Sequence, residues 1–315
     1  MVVLFHYTTR YNQIYGHTVP IVMFDIGRYG VHLFFMISGF VIFLTINRIK
    51  KIEDFIISRF SRLYPAYWVA IMITFFSIQV FSLPGRETSL SDLVINFTML
   101  QEWFRVPHVD GVYWTLTVEL SFYILMSLLF LTRLLKYVDI VSLIWLCLVI
   151  ITKWLKMYLG VTLPNLIKLL LLLDHGNLFI AGMMFFKFKN TKKIKYIGII
   201  LLSLLVSYYL YPENKTIFTI YFLIFFLFSM DYLKFIAIRS LVFLGSISYS
   251  LYLIHQNIGY IIIRFLYRLH LASWWSVPIV PATISIGIAC WMYHFIEKPS
   301  LSFIRKKYAE VKDRI

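Results

Sequence analysis

Charge is scarce in this chain, and acid is scarcer than base. Asp, Glu, Lys and Arg make up 14% of 315 residues, with 15 acids against 30 bases. Together with 60% hydrophobic residues and a mean hydropathy of +0.79, that scarcity excludes a soluble domain of ordinary composition. Cysteine is nearly absent. Cys147 and Cys290 lie in apolar runs without metal or redox spacing, so packing accounts for both and no metal site is expected. Internal repeats, low-complexity linkers and soluble appendages are missing too, which leaves one membrane domain, residues 1–315, to hold the whole function.

What the chain does contain is one long apolar run after another. A hydrocarbon core of about 30 Å needs roughly 20 apolar residues per helix, and Tyr29 to Asn47, Leu63 to Gly85, Tyr196 to Pro212, Ser240 to Ile263 and Leu269 to Ile296 carry no charge at all. The pattern predicts an all-α, polytopic membrane bundle of about ten transmembrane helices. Nine are complete, at 29–47, 63–83, 112–132, 138–157, 166–187, 196–211, 216–231, 241–263 and 276–296. The tenth is a stub: residues 1–9 read as the last turns of a first helix whose beginning is absent.

A net charge of +15 invites a nucleic-acid reading, but the bases collect in alternate loops, the asymmetry that orients membrane helices. Loops 48–62, 133–137, 187–195 and 232–239, with the basic tail 297–315, hold 20 of the 30 Lys and Arg. These loops are expected in the cytoplasm, with the carboxyl terminus inside. Topology explains the charge, and no nucleic-acid partner is expected.

Within this apolar frame several motifs stand out. Gly30-Val31-His32-Leu33-Phe34-Phe35-Met36-Ile37-Ser38-Gly39-Phe40 resembles the Gly-Val-x-x-Phe-Phe-x-x-Ser-Gly-Phe signature of the acyltransferase-3 family of bacterial membrane proteins. Arg59-Phe60-Ser61-Arg62-Leu63-Tyr64-Pro65 is similar to its Arg-x-x-Arg-x-x-Pro segment, and Asp110 to Tyr123 to its Asp-Gly-x-x-Trp-x-Leu-x-x-Glu-x-x-Phe-Tyr segment. Ser248-Tyr249-Ser250-Leu251-Tyr252-Leu253-Ile254-His255 resembles its late Ser-Tyr-x-x-Tyr-x-x-His helix, and Phe295 to Pro299 its usual close. Each motif alone is weak, but five in order across nearly the whole chain form a specific pattern. The resemblance implies transfer of an acyl group, most often acetyl, from cytoplasmic acyl-coenzyme A, a co-substrate rather than a bound cofactor. The acceptor it implies is a hydroxyl of a cell-surface carbohydrate such as O-antigen, capsule or exopolysaccharide, possibly lipid-linked, handled by a multi-pass protein of the bacterial inner membrane. It also implies a first helix with an Arg near its start and a catalytic His near its end. Val2-Val3-Leu4-Phe5-His6 matches that ending, while the Arg has no counterpart; the chain then reads either as lacking upstream residues or as a shortened, inactive copy.

The residues themselves can be weighed beside the resemblance. His6 precedes the polar run Tyr7 to Arg10, which places an imidazole near the outer boundary, where it can take a proton from a hydroxyl; the plain alternative is an interfacial helix-end His. Glu119 lies seven residues inside Val112, about 10 Å below the outer edge, at a depth where a carboxylate is expensive. It is expected to orient His6, or else to form a structural buried pair. Arg59 and Arg62, three apart, share a helical face at the cytoplasmic entrance, where guanidinium forks suit the phosphates of coenzyme A; positive-inside topology is the competing account. Ser38 beside Gly39 suits close helix approach or a narrow thioester arm, packing being the safer reading. His255, in the outer half of its helix, either joins His6 and Glu119 or is a hydrogen-bonded structural His. Asp174, with His175, is buried charge if the run from Leu166 is one helix, but lies at the surface if the helix starts near Asn177. Trp114 and Tyr123 complete the accessory candidates, since aromatic faces suit both sugar rings and the headgroup interface.

A competing class is a transporter or flippase for a polysaccharide or lipid-linked sugar, because intramembrane Glu, His and Arg also mark substrate pathways. Inverted repeats and paired broken helices, which that class needs, are not evident in the sequence.

Overall fold

The computed structural model describes residues 1–312, which are 79% helical and contain no strand. The all-α expectation therefore holds. Five helical stretches are long and apolar enough to cross a membrane: Asp25–Ile46, Ile52–Phe81, Gly111–Leu131, Leu134–Leu159 and Ser276–Lys312. A sixth is added if Lys195–Leu210 and Pro212–Ser229, bent by 116° against each other, form one broken span.

Nine complete spans are not recovered, and the reasons are local. The run at 166–187 is interrupted: helix Asn165–Leu170 stops, Leu172 turns with φ at 52°, and a new helix starts at Gly176. Lys195–Leu210 and Lys215–Ser229 have 16 and 15 residues, so at 1.5 Å per residue they reach only about 24 and 22 Å. Arg239–Arg268 is 30 residues long but carries Ser246, Ser248, Ser250, His255, Gln256 and Asn257 through its middle. Its apolar period is diluted by these polar residues, of which Ser246 and Ser248 bond to carbonyls of their own helix and Ser250 and Asn257 to other segments.

We label the elements used below. Residues 2–15 form α1, whose middle turn, His6–Arg10, is π-wound. Gly30–Ile46 is α2, Ile52–Phe81 is α3, Trp114–Leu131 is α4, Val138–Leu159 is α5 and Gly176–Thr191 is α6. Arg239–Arg268 is α7, Ser276–Met292 is α8 and Lys298–Lys312 is α9. A second π-turn, Tyr293–Glu297, joins α8 to α9. The first helix does not end at residue 9 as expected but runs to Tyr15, where Gly16 takes φ at 76°. The polar run continues the helix because its hydroxyls are satisfied: Thr8 donates to the Leu4 carbonyl, and Thr9 accepts from the Phe24 N–H.

The helices group into two compact units. The first comprises Met1–Gly30, Ile56–Thr117 and the chain from Ile238 onward; the second comprises Val31–Phe55 and Val118–Ala237. In the first, Tyr7, Tyr11, Ile78, Leu83, Tyr260, Ile263 and Val277 form a buried core. There the carboxylate of Asp110 accepts from the Asn257 N–H at 3.1 Å and the Val112 N–H at 3.3 Å, fixing the Asp110-Gly111 turn against α7. In the second, α2 crosses α6 at two glycines. A Cβ on Gly39 would meet the Phe179 backbone within 2.9 Å, and one on Gly182 would meet the Phe40 nitrogen at 2.7 Å. Backbone cannot rotate away as a side chain can, so this crossing exists only because neither residue has a Cβ.

Two outcomes follow from this packing. Gly39→Val or Gly182→Val destabilises the protein by about 3 kcal/mol, seen as a lower thermal midpoint in detergent, whereas Gly287→Ala, with nothing within 4 Å, leaves it unchanged or slightly raised. Burial pushes the Asp110 carboxyl up to about 7, against the opposing pull of its two N–H donors and the nearby charge of Arg86. A raised carboxyl favours the fold when protonated, so its contribution is full below an unfolded value of about 4 and is lost as pH climbs to about 7. Asp110→Asn is expected to remove that component from the pH dependence of the thermal midpoint. It also lowers the midpoint at every pH, because an amide accepts at one of its two positions only.

Candidate functional site

The first unit gathers its polar side chains along α7. His255 is fully buried; its Nδ1 faces the Tyr252 carbonyl at 2.8 Å, which makes Nδ1 the protonated nitrogen and Nε2 the one with the lone pair. That Nε2 is buried with no hydrogen-bond partner. The His6 ring packs edge-on against it with centroids 5.0 Å apart, and His6 Nδ1 lies 3.2 Å from the Tyr260 hydroxyl. The next residue braces the pair: Tyr7 donates to the His255 carbonyl at 2.8 Å and accepts from Ser285 at 2.9 Å. Gly259, one turn beyond His255, leaves the space that the Tyr7 ring occupies. The π-winding at His6–Arg10 offsets this turn from the α-helical register just where His6 and Tyr7 meet α7.

Five residues earlier on α7, Ser250 donates to Glu297 at 2.7 Å, and Glu297 also accepts from Arg62. Glu297 is buried and sits at the end of the second π-turn. Arg62 further stacks over the Tyr249 ring at 5.6 Å. Arg59 and Arg62 lie on α3 as the spacing predicts, with Arg59 donating to the Ser58 hydroxyl at 3.2 Å. Five residues rise about 7.5 Å along a helix, so one helix holds the arginine level and the histidine level at a fixed separation. Tyr252, between them, donates to the Val112 carbonyl and so accepts from Thr115 Oγ1, 2.7 Å away.

The second unit carries its own polar group. Glu119 is buried on α4, and its Oε1 accepts from Tyr123 at 2.8 Å and from Ser38 at 3.2 Å. Two candidates drawn from separate motifs, Ser38 and Tyr123, are thus brought to a third. His6 belongs to the first unit and Glu119 to the second. Trp114 opens α4 and is half-buried.

Asp174 resolves toward the second of its two expectations. It is exposed, immediately before the helix that starts at Gly176, and lines a cleft of about 120 Å³ with Lys153, Lys156, Lys168 and Tyr211. His175 is drawn instead into an aromatic group with His32 and Tyr211, ring centroids 5.9 and 4.9 Å from His32. At the opposite end of α5, Asp139 pairs with Lys187 and Lys195.

Sequence reading missed Tyr260, Ser285 and the pairing of Ser250 with Glu297. Gly259, four residues after His255, was the available signal, since a glycine on a helix face beside a polar residue marks close approach. No group of His, Cys, Asp and Glu among the described residues has the arrangement of a metal site.

Comparison with known proteins points to a family. A family model described as an acyltransferase domain matches residues 1–294. Acyltransferase MdmB of Streptomyces mycarofaciens is 28% identical over 127 residues, which are 38% of this chain and 32% of that protein. The match thus spans about a third of that relative's length. No solved structure matches. With apolar helices of spanning length and the family model covering nearly the whole chain, the protein belongs to the acyltransferase-3 family of membrane acyltransferases.

Proposed function

We propose that this protein is an O-acyltransferase of the bacterial inner membrane. It moves an acyl group, most often acetyl, from cytoplasmic acyl-coenzyme A to a hydroxyl of a cell-surface carbohydrate, possibly lipid-linked. The observation that carries the reading is the juxtaposition of His6 and His255, two imidazoles within one apolar unit, one of them with a buried nitrogen that has no partner. Unpaired polar atoms are costly inside a protein and persist where a substrate supplies the missing partner.

The chemistry follows from what each nitrogen has left to do. His6 takes the proton of the acceptor hydroxyl as the oxygen attacks the thioester carbonyl. The carbon–sulfur bond breaks, and the proton passes from His6 to the departing thiolate, leaving an ester and free coenzyme A thiol. His255, fixed as the Nδ1–H tautomer, offers its Nε2 lone pair to a second donor, either the acceptor's neighbouring hydroxyl or the His6 imidazolium. Arg62, prealigned by Glu297, and Arg59 bind donor phosphates at the other level of α7. Glu119 is required as a buried carboxylate held by Ser38 and Tyr123. The charge asymmetry of the loops supports a cytoplasmic carboxyl terminus.

The test is acetate released from purified surface polysaccharide by cells expressing each variant. His6→Ala is expected to lower it by at least about 100-fold while the amount of polymer and of membrane-inserted protein stays unchanged. Glu119→Gln, which keeps the shape and can still accept from both hydroxyls, separates a need for charge from a need for packing. Its activity is expected to fall about tenfold or more with the fold retained. Normal acylation by folded His6→Ala protein would sink the assignment, and loss of the polymer itself would point to export instead.

A further inference from the structure

We infer that Gln256, on α7, and Arg86, in the loop that follows α3, hold the acceptor sugar beside the two imidazoles. The inference rests on the reading above, in that it takes the acceptor to be a carbohydrate hydroxyl, and it adds two residues that lie outside all five motifs.

Gln256 is 3% exposed, and among the described residues its amide forms no hydrogen bond. A primary amide offers two donors and an acceptor, so leaving all of them unmet in a buried side chain is costly. The backbone makes room for this group. A Cβ on Gly111 would stand 2.8 Å from Gln256 Nε2 and 3.2 Å from Gln256 Oε1, and Arg86 Nη1 comes within 3.4 Å of the same point. The loop carrying Arg86 is set by a turn, with Gly85 at a φ of 72° and the Arg86 N–H donating to the Leu83 carbonyl at 3.1 Å; Tyr15 pins it by donating to the Pro84 carbonyl at 2.9 Å. Among the described residues Arg86 forms no ion pair. The acids beside it, Asp110 and Glu87, accept from backbone N–H groups instead. An amide that both donates and accepts thus meets a guanidinium with five N–H donors over one missing side chain, and because Arg86 is half-buried, the pair opens toward the surface.

The pair also lies beside the reacting groups, since both residues belong to the first unit with His6 and His255. Gln256 directly follows His255. Tyr260, one turn further on the same face of α7, has its hydroxyl 3.2 Å from His6 Nδ1. Arg86 is a charged neighbour of both His6 and Tyr260. Its loop comes from the end of α3 opposite to Arg59 and Arg62, so these two donors face away from the level proposed for the donor phosphates. Sugar hydroxyls donate and accept, which suits the amide, and their oxygens suit the forked donors of Arg86.

The test uses the full chain in neutral detergent, with acetyl-coenzyme A as donor and, as acceptor, the lipid-linked and polymeric carbohydrate extracted from cells lacking the protein. Gln256→Met keeps the length of the side chain and removes its hydrogen bonds. It is expected to raise the acceptor KM about tenfold while the KM for acetyl-coenzyme A stays unchanged. Its thermal midpoint is expected to hold or rise, because an unpartnered amide has left the interior. Arg86→Gln is expected to raise the same acceptor KM, and so is Gly111→Ala, which leaves both side chains in place but pushes the amide out of its space. An unchanged acceptor KM in Gln256→Met overturns the inference. So does an equal rise in the donor KM, which would give the amide to the acyl-pantetheine arm, or a fall in kcat alone, which would place it on the reacting carbonyl. A lowered thermal midpoint in Gln256→Met would make the amide a structural group and overturn the inference as well. Absence of transfer by the wild-type chain would overturn the proposed function itself, and this inference with it.

Discussion

A long helix that is polar through its middle must pair what it buries, and much of the first unit is arranged around meeting that demand on α7. An unsatisfied polar group in an apolar setting costs several kcal/mol, roughly the full stability of a small domain if repeated a few times. Ser250 is met by Glu297, Tyr252 by Thr115, the carbonyl of His255 by Tyr7, and the Asn257 backbone by Asp110. These partners come from three separate regions of the chain. Sequence segments that share no local logic are thereby tied to one helix, on which the Nε2 of His255 and the Oδ1 of Asn257 stay buried without a hydrogen-bond partner.

The two π-turns in the described residues fall on His6 and on Glu297. A π-turn inserts one residue into the helical register and loosens the hydrogen-bond ladder around it, so it survives where tertiary contacts hold it. Tyr7, whose hydroxyl is bonded to both His255 and Ser285, supplies that hold at the first. Ser250 and Arg62 supply it at the second. In both places the altered register brings a polar side chain to α7. Neither turn has a signature in composition or spacing, since both lie in sequence that reads as ordinary apolar helix.

Much of this molecule was legible before any coordinates. The all-helical class and the place of Arg59 and Arg62 on one helix follow from hydropathy and spacing, and motifs single out Ser38, Glu119 and Tyr123. That the last three share one hydrogen-bonded group was not visible, because Ser38 and Glu119 are 81 positions apart and spacing carries no information at that range. The expected span count is not matched for a different reason. Hydropathy treats an apolar run as a helix, whereas Leu172 breaks one such run by adopting a left-handed turn, and the two runs after it are each too short. The span expected at 241–263 lies within α7, whose polar residues lower its hydropathy although their partners remove much of the cost.

The pairing of Arg62 with Glu297 also sets how the arginine level can work. A guanidinium has five donors, and a carboxylate that takes some of them fixes the plane in which the others project. Glu297 therefore cancels part of the positive charge at this level while fixing the geometry of Arg62. The pairing has a structural consequence. The aligned arginine is anchored through Glu297 and Ser250 to α7, the same helix that carries His255, and so cannot shift without moving the histidine level with it.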